Sequence, residues 1–105
     1  MKEINILLTN DDGIRASGIH ILAAELAKLG KVWIAAPAEN HSGAGHGLTV
    51  TVPLRAYQVE VPHATAWKVT GTPADCIKLA IEVLLPVRPD IVISGSTTGR
   101  ISALM

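Results

Sequence analysis

At 105 residues the chain has room for one small domain. Hydrophobic residues make up 49% and charged residues 17%, with no low-complexity tract, which excludes a disordered or fibrous chain. Nine basic and nine acidic side chains cancel, so there is no electrostatic footprint for a nucleic acid polymer or an anionic membrane.

The apolar runs are too short to span a bilayer, and the start "MKEINILL" lacks a signal peptide's long apolar region. A single cysteine, Cys76, forms no internal disulfide, which points to a reducing cytoplasm. Aromatic residues are limited to Trp33, Tyr57 and Trp67, so the core must be aliphatic.

"INILLT", residues 4 to 9, is a nearly continuous apolar run of the kind buried on both faces of a parallel sheet. From Ser17 the period becomes helical, with Ile19, Leu22, Ala23, Leu26 and Leu29 on one face and Gly30 where the helix would stop. "KVWIAAP" is a second strand ending at Pro37, which completes a βαβ unit with a right-handed crossover.

"HSGAGHG", residues 41 to 47, is a glycine-rich loop. "LTVTV", "RAYQVEV" and "TAWKVT" then read as strands, an antiparallel excursion inserted into the α/β scheme. "GTPADCIKLAIEVLL" starts a helix with Thr72 as cap, Pro73 in the first turn and Asp75 three residues after the cap. "PDIVISG", residues 89 to 95, is a further buried parallel strand. The expectation is an α/β, three-layer core with a mainly parallel sheet.

In an open α/β sheet, ligands bind outside the carboxyl ends of the strands. Three segments fall there: Asn10-Asp11-Asp12-Gly13, the loop from Asn40 to Gly47, and Ser94-Gly95. Two readings of Asp11 and Asp12 stand. They shape a turn and favour the next helix's N-terminus, or they hold a hard divalent cation such as Mg²⁺ or Mn²⁺ that relieves their mutual repulsion. Ser42 is an idle loop hydroxyl or, with Gly43, Gly45 and Gly47 freeing backbone N–H groups, part of an anion-binding nest.

His41 and His46 lack a specific zinc spacing, although His46 could touch substrate. His20 and His63 read as a helix residue and a loop residue, structural or solvated rather than ligands. Cys76 lies near a helix N-terminus, where a thiolate would be favoured, but reads as a small buried apolar residue without a partnered His. No Ser-His-Asp order is present.

"ILLTNDDGIRASGIHILAAEL", "APAENHSGAGHGLT", "VTGTPADCIKLAI" and "RPDIVISG" together resemble, in order and spacing from about residue 4 to Gly95, the SurE (survival protein E) family of 5′/3′-nucleotidases. The resemblance implies a Rossmann-like core and metal-dependent removal of phosphate from nucleoside monophosphates; some members also act on polyphosphate. It implies Asp11, Asp12 and Ser42 as metal ligands, with both acids catalytic. Asn10 and Gly43 would border the phosphate, and the turn from Gly71 and Thr72 to Cys76 would line the substrate side. Homo-oligomers are implied for the full-length family form.

Where the family continues "INxGxNLG", with its first asparagine the remaining metal ligand, this chain reads "STTGRISALM". Thr97 replaces that asparagine, Ile101 the second one, and Gly99 alone agrees. The chain is also less than half the family's usual length, so the C-terminal part of the family fold is missing. Residues 1–95 therefore form the family-like region and 96–105 a divergent tail.

The tail has a specific explanation. The codons ATC AAC NAC GGG GAG AAT CTC GGC ACT GAT G encode Ile-Asn-x-Gly-Glu-Asn-Leu-Gly-Thr-Asp. Without their first base they encode Ser-Thr-Thr-Gly-Arg-Ile-Ser-Ala-Leu-Met, the tail without a mismatch. A frameshift, a divergent domain and a shortened domain are the three accounts. A chain ending there would leave apolar sheet surface and a strand edge uncovered.

The leading reading is a metal-dependent nucleotidase domain acting on nucleoside monophosphates. The alternative is a weak or inactive nucleotide- or phosphate-binding remnant. A phospho-receiver domain would need an acceptor Asp after a middle strand and a Lys after a later one; here the last strand ends in Ser94-Gly95. Haloacid-dehalogenase-type phosphatases need one residue between their two acids. A dinucleotide site needs G-x-G-x-x-G directly after the first strand, and none is there.

Overall fold

The computed structural model describes residues 3–39 and 54–95, together with the backbone of residues 101–104. At its centre is β1 (Ile4–Asn10). Ile6, Leu7, Leu8 and Thr9 are at most 1% exposed. Successive side chains of a strand point to opposite faces, so both faces of β1 must be covered. Ile6 and Leu8 pack with Ile19 and Ala23 of helix α1 (Ser17–Leu26), while Leu7 packs with Cys76 of helix α2 (Pro73–Leu79) on the other side. The result is the expected three layers, helix on sheet on helix.

The remaining strands are β2 (Gly30–Pro37), β3 (Ala56–Val61), β4 (Ala64–Val69), β5 (Ile91–Gly95) and β6 (Ile101–Leu104). Their order across the sheet is β3-β4-β2-β1-β5-β6. β4, β2, β1 and β5 run parallel, with β3 and β6 antiparallel on the outside. The crossovers from β1 to β2 and from β4 to β5 step across the sheet in opposite directions. Right-handed connections then require their helices on opposite faces, as found.

Three expectations are corrected. The first helix stops at Leu26, and Gly30 is not its terminator but the first residue of β2, paired with Ile4. A Cβ at Gly30 would collide with the Ile4 carbonyl oxygen and the Ile4 side chain. Gly30→Ala should therefore cost about 1–3 kcal/mol, the range for overpacking, read as a lower urea midpoint at unchanged slope; an unchanged midpoint would contradict this packing.

The antiparallel excursion is not a separate arm. β4 pairs in parallel with β2, from Trp33↔Thr65 to Pro37↔Val69, so the β3–β4 hairpin widens the main sheet. Its turn is Pro62-His63, with His63 in the left-handed region at φ 71°. The predicted strand "LTVTV" and the loop "HSGAGHG" lie outside the described residues.

The predicted second helix changes character half-way. α2 gives way to a π-helical turn, Ala80–Leu84, in which the Leu85 N–H donates to the Ala80 carbonyl at 2.9 Å. Both Leu84 and Leu85 pack towards the sheet on the α2 side. Beyond β5 the sheet continues with β6, paired antiparallel from Val92↔Leu104 to Gly95↔Ile101. Among the described residues no helix is long and apolar enough to cross a membrane.

The core is aliphatic, as the composition required. Trp33 and Trp67 are half-buried and stack with ring centroids 6.2 Å apart.

Candidate active site

The four parallel strands deliver four chain segments to one rim of the sheet: Asn10 to Gly13 after β1, Ala38 and Glu39 after β2, Thr70 to Thr72 after β4, and Gly95 closing β5. Register fixes their heights, since Asn10 pairs with Gly95 and Pro37 with Val69. β1 sits where the chain turns to build outward in both directions, the switch point at which α/β sheets open a crevice. Asp11 and Asp12 are the first residues beyond it.

The turn they occupy is closed without them. The Asn10 side chain, 3% exposed, accepts from the Gly13 N–H at 3.1 Å and donates through Nδ2 to the Gly13 carbonyl at 3.0 Å. Gly13 adopts φ 103°, a backbone conformation that suits glycine. Nor do the acids cap the next helix. Ala16 occupies the cap of α1 with no side-chain hydrogen bond, and its first turn holds no acidic residue.

The two carboxylates are thus spare. Among the described residues, Oδ1 of Asp11 and Oδ1 of Asp12 are both buried without a hydrogen-bond partner. Burial, followed by the charge of Asp11, holds the Asp12 carboxyl above the usual carboxylate range. Orphaned buried carboxylate oxygens are costly, and a divalent cation would relieve that cost. The residues present therefore fit a hard cation. Among the described residues no third His, Cys, Asp or Glu joins the pair. Ser42, Gly43 and Thr97, all expected at the site, lie outside the described residues.

Across the rim, the Gly71-Thr72 turn leads into α2. The Thr72 hydroxyl accepts from the Asp75 N–H at 3.2 Å and donates to Asp75 Oδ2 at 2.9 Å, and the Thr72 N–H donates to the same oxygen at 3.0 Å. This is the predicted capping box. It commits the Thr72 side chain to the helix. A Cβ on Gly71 would meet the Asp75 side chain at 2.9 Å and Leu54 at 2.8 Å.

Cys76 is fully buried under α2, and burial, then the neighbouring Asp75 charge, push its thiol up to about 12, against a smaller opposing effect of the Thr9 hydroxyl. The helix N-terminus does not make it a thiolate, in keeping with an apolar packing role. The linkage sign follows. The raised thiol leaves stability intact below the ordinary value of 9.0 and loses it as pH rises towards 12. At pH 8 a thiol reagent should label native chain only as fast as it unfolds; labelling faster than unfolding would contradict this burial.

A groove of about 540 Å³ lies along the hairpin from Gln58 to Ala66. Its turn end is opposite the carboxyl rim, and it contains none of the predicted site residues.

The chain is similar in sequence and fold to known proteins. A family model described as Survival protein SurE matches residues 6–103, which runs into the segment set aside as a divergent tail. The 5′-nucleotidase SurE of Desulfovibrio desulfuricans is 52% identical over 97 residues, covering 91% of this chain and 38% of that protein. That of Chlorobium limicola is 45% identical over 104 residues, covering 98% of this chain and 40% of the relative. The crystal structure of the SurE protein from Aquifex aeolicus superposes with a TM-score of 0.71 at 42% identity, over 87% of this chain and 36% of that one. The chain thus spans about two fifths of the length of the relatives it matches.

Proposed function

This chain belongs to the survival protein SurE family, and from that premise we propose that its carboxyl rim is a metal-dependent phosphomonoesterase site acting on nucleoside monophosphates, which it hydrolyses to nucleoside and phosphate. The observation that carries the reading is the pair of buried carboxylate oxygens on Asp11 and Asp12, without a partner among the described residues, beside a turn that Asn10 already closes.

Asp11 and Asp12, with the Ser42 hydroxyl, are the residues that would hold Mg²⁺ or Mn²⁺. Such an ion, when bound, would supply charge stabilisation at the phosphoryl oxygens and polarisation of the attacking water. The chain's own part is positioning, since phosphoryl transfer asks little covalent work of the protein. Gly43 and its glycine-rich neighbours would offer backbone N–H groups to the phosphate. The Gly71-Thr72 turn, stiffened by the capping box, forms the substrate wall. Asn10 borders the phosphate through the turn it holds rather than through a free amide.

The relatives' names as 5′-nucleotidases support the reaction class. The single buried cysteine supports a cytoplasmic setting. A homo-oligomer is proposed for the full-length family form.

The tail is proposed as a frameshifted copy of the family's next motif, which sequencing the gene tests: a single-base change must restore Ile-Asn-x-Gly-Glu-Asn-Leu-Gly-Thr-Asp. The activity test measures phosphate release from nucleoside monophosphates by this chain and by its frame-restored version. The restored chain should turn over with Mg²⁺ or Mn²⁺ and fall silent with EDTA, and the present chain should be weak. Release that EDTA leaves unchanged would overturn the metal reading, and metal binding without turnover in both chains would favour a phosphate-binding remnant.

A further inference from the structure

The two acids hang between anchors at each end of their turn. On the strand side, Asn10 is buried and bracketed to Gly13. On the helix side, Ile14 is fixed three ways. Its side chain is 4% exposed in the α1-side core, its N–H donates to the Pro37 carbonyl at 2.8 Å, and its carbonyl lies 2.7 Å from His20 Nε2. A carbonyl only accepts, so Nε2 must carry the proton and donate.

His20 stands one turn into α1, a helix with no side-chain cap of its own. Its ring therefore reaches back over the helix start to hold the segment that the acids depend on. We propose that His20 is a positioning residue for the cation site, fixing the Ile14 carbonyl and thereby the spacing of Asp11 and Asp12.

The physical basis is that carboxylates must be held before the ion arrives. A ligand pair free to splay under its own repulsion binds a cation less tightly than one locked in place, and supporting partners of metal sites commonly change affinity by about 10- to 100-fold. Sequence alone gives no sign of this, because His20 falls among the helical positions with nothing to pair it to Ile14. The inference rests on the proposed cation site, and its test separates the two.

Mn²⁺ binding to the full chain, followed by electron paramagnetic resonance, should weaken about tenfold in His20→Ala. In His20→Gln, whose amide N–H reaches nearly where Nε2 does, affinity should return to within about threefold of the parent. Amide exchange at Gly13 and Ile14 should quicken about tenfold in His20→Ala and not in His20→Gln, with the urea midpoint recording global stability alongside.

Parent-like Mn²⁺ affinity in His20→Ala would overturn the positioning role. So would equal impairment of both variants at matched stability. Absence of Mn²⁺ binding in the parent chain would instead overturn the cation site, and the amide exchange would then still decide whether His20 fixes the turn. If His20→Ala fails to fold, a His20→Gln protein with weak Mn²⁺ binding and fast exchange at Ile14 overturns the proposal by itself.

Discussion

Asp11→Asn and Asp12→Asn should each lower metal-dependent phosphate release by about a thousandfold while leaving the metal-free chain as stable as before, or more so. The first half follows from losing an anionic ligand of an ion expected to supply several kcal/mol of transition-state stabilisation. The second follows from the unpartnered oxygens. Without a cation, two adjacent carboxylates with buried, unpartnered Oδ1 atoms repel each other, and an amide at either position removes that repulsion.

Opposite signs on activity and stability separate this from simple misfolding. They also make a pH prediction. The Asp12 carboxyl is raised, first by burial and then by Asp11, so the folded chain holds that proton more tightly than the unfolded chain does. Its contribution to metal-free stability is complete below the ordinary value of 3.8 and is lost as pH rises through the higher folded value. Asp12→Asn should flatten that limb, and added Mn²⁺ should reverse it. Urea midpoints against pH for parent and variant, with and without Mn²⁺, provide the measurement. A variant destabilised at every pH, or one retaining parent turnover, would show that the pair serves the turn and not an ion.

The sheet's centre was legible because burial on both faces writes itself as an unbroken apolar run, and "INILLT" and "DIVIS" admit few other placements. The capping box was legible because cap chemistry is local: Thr72, Pro73 and Asp75 meet within one turn. What failed was non-local. Gly30 after a helical stretch looks like a terminator, whereas its real constraint is the Ile4 backbone on another strand. The parallel pairing of β4 on β2 joins residues some thirty positions apart and leaves no mark in either strand. The π-helical turn is equally silent, because Ala80 to Leu84 are ordinary helix formers. At the site, the acids were visible as an oddity, but the reason they are free was not. That reason is the pair of hydrogen bonds between Asn10 and Gly13, which closes the turn without either acid.

Two glycines five residues apart, either side of the helix start, put the turn's geometry to the sharpest test. Gly13→Ala should destabilise the chain by about 1–3 kcal/mol, the cost of holding an L side chain in a sparsely populated backbone conformation. Gly13 sits at φ 103° and cannot relax without giving up hydrogen bonds, because both its N–H and its carbonyl are engaged by Asn10. Gly18→Ala should do the reverse. Gly18 lies in the first turn of α1 with open space around its missing Cβ, so alanine should stabilise by up to about 1 kcal/mol through helix propensity and a less free unfolded chain. Only the first substitution should weaken Mn²⁺ binding, since only Gly13 closes the turn on which Asp11 and Asp12 stand. Urea unfolding and Mn²⁺ titration of both variants measure this. A Gly13→Ala chain as stable as its parent would mean that the turn is not left-handed there, and the locked spacing of the two acids would go with it.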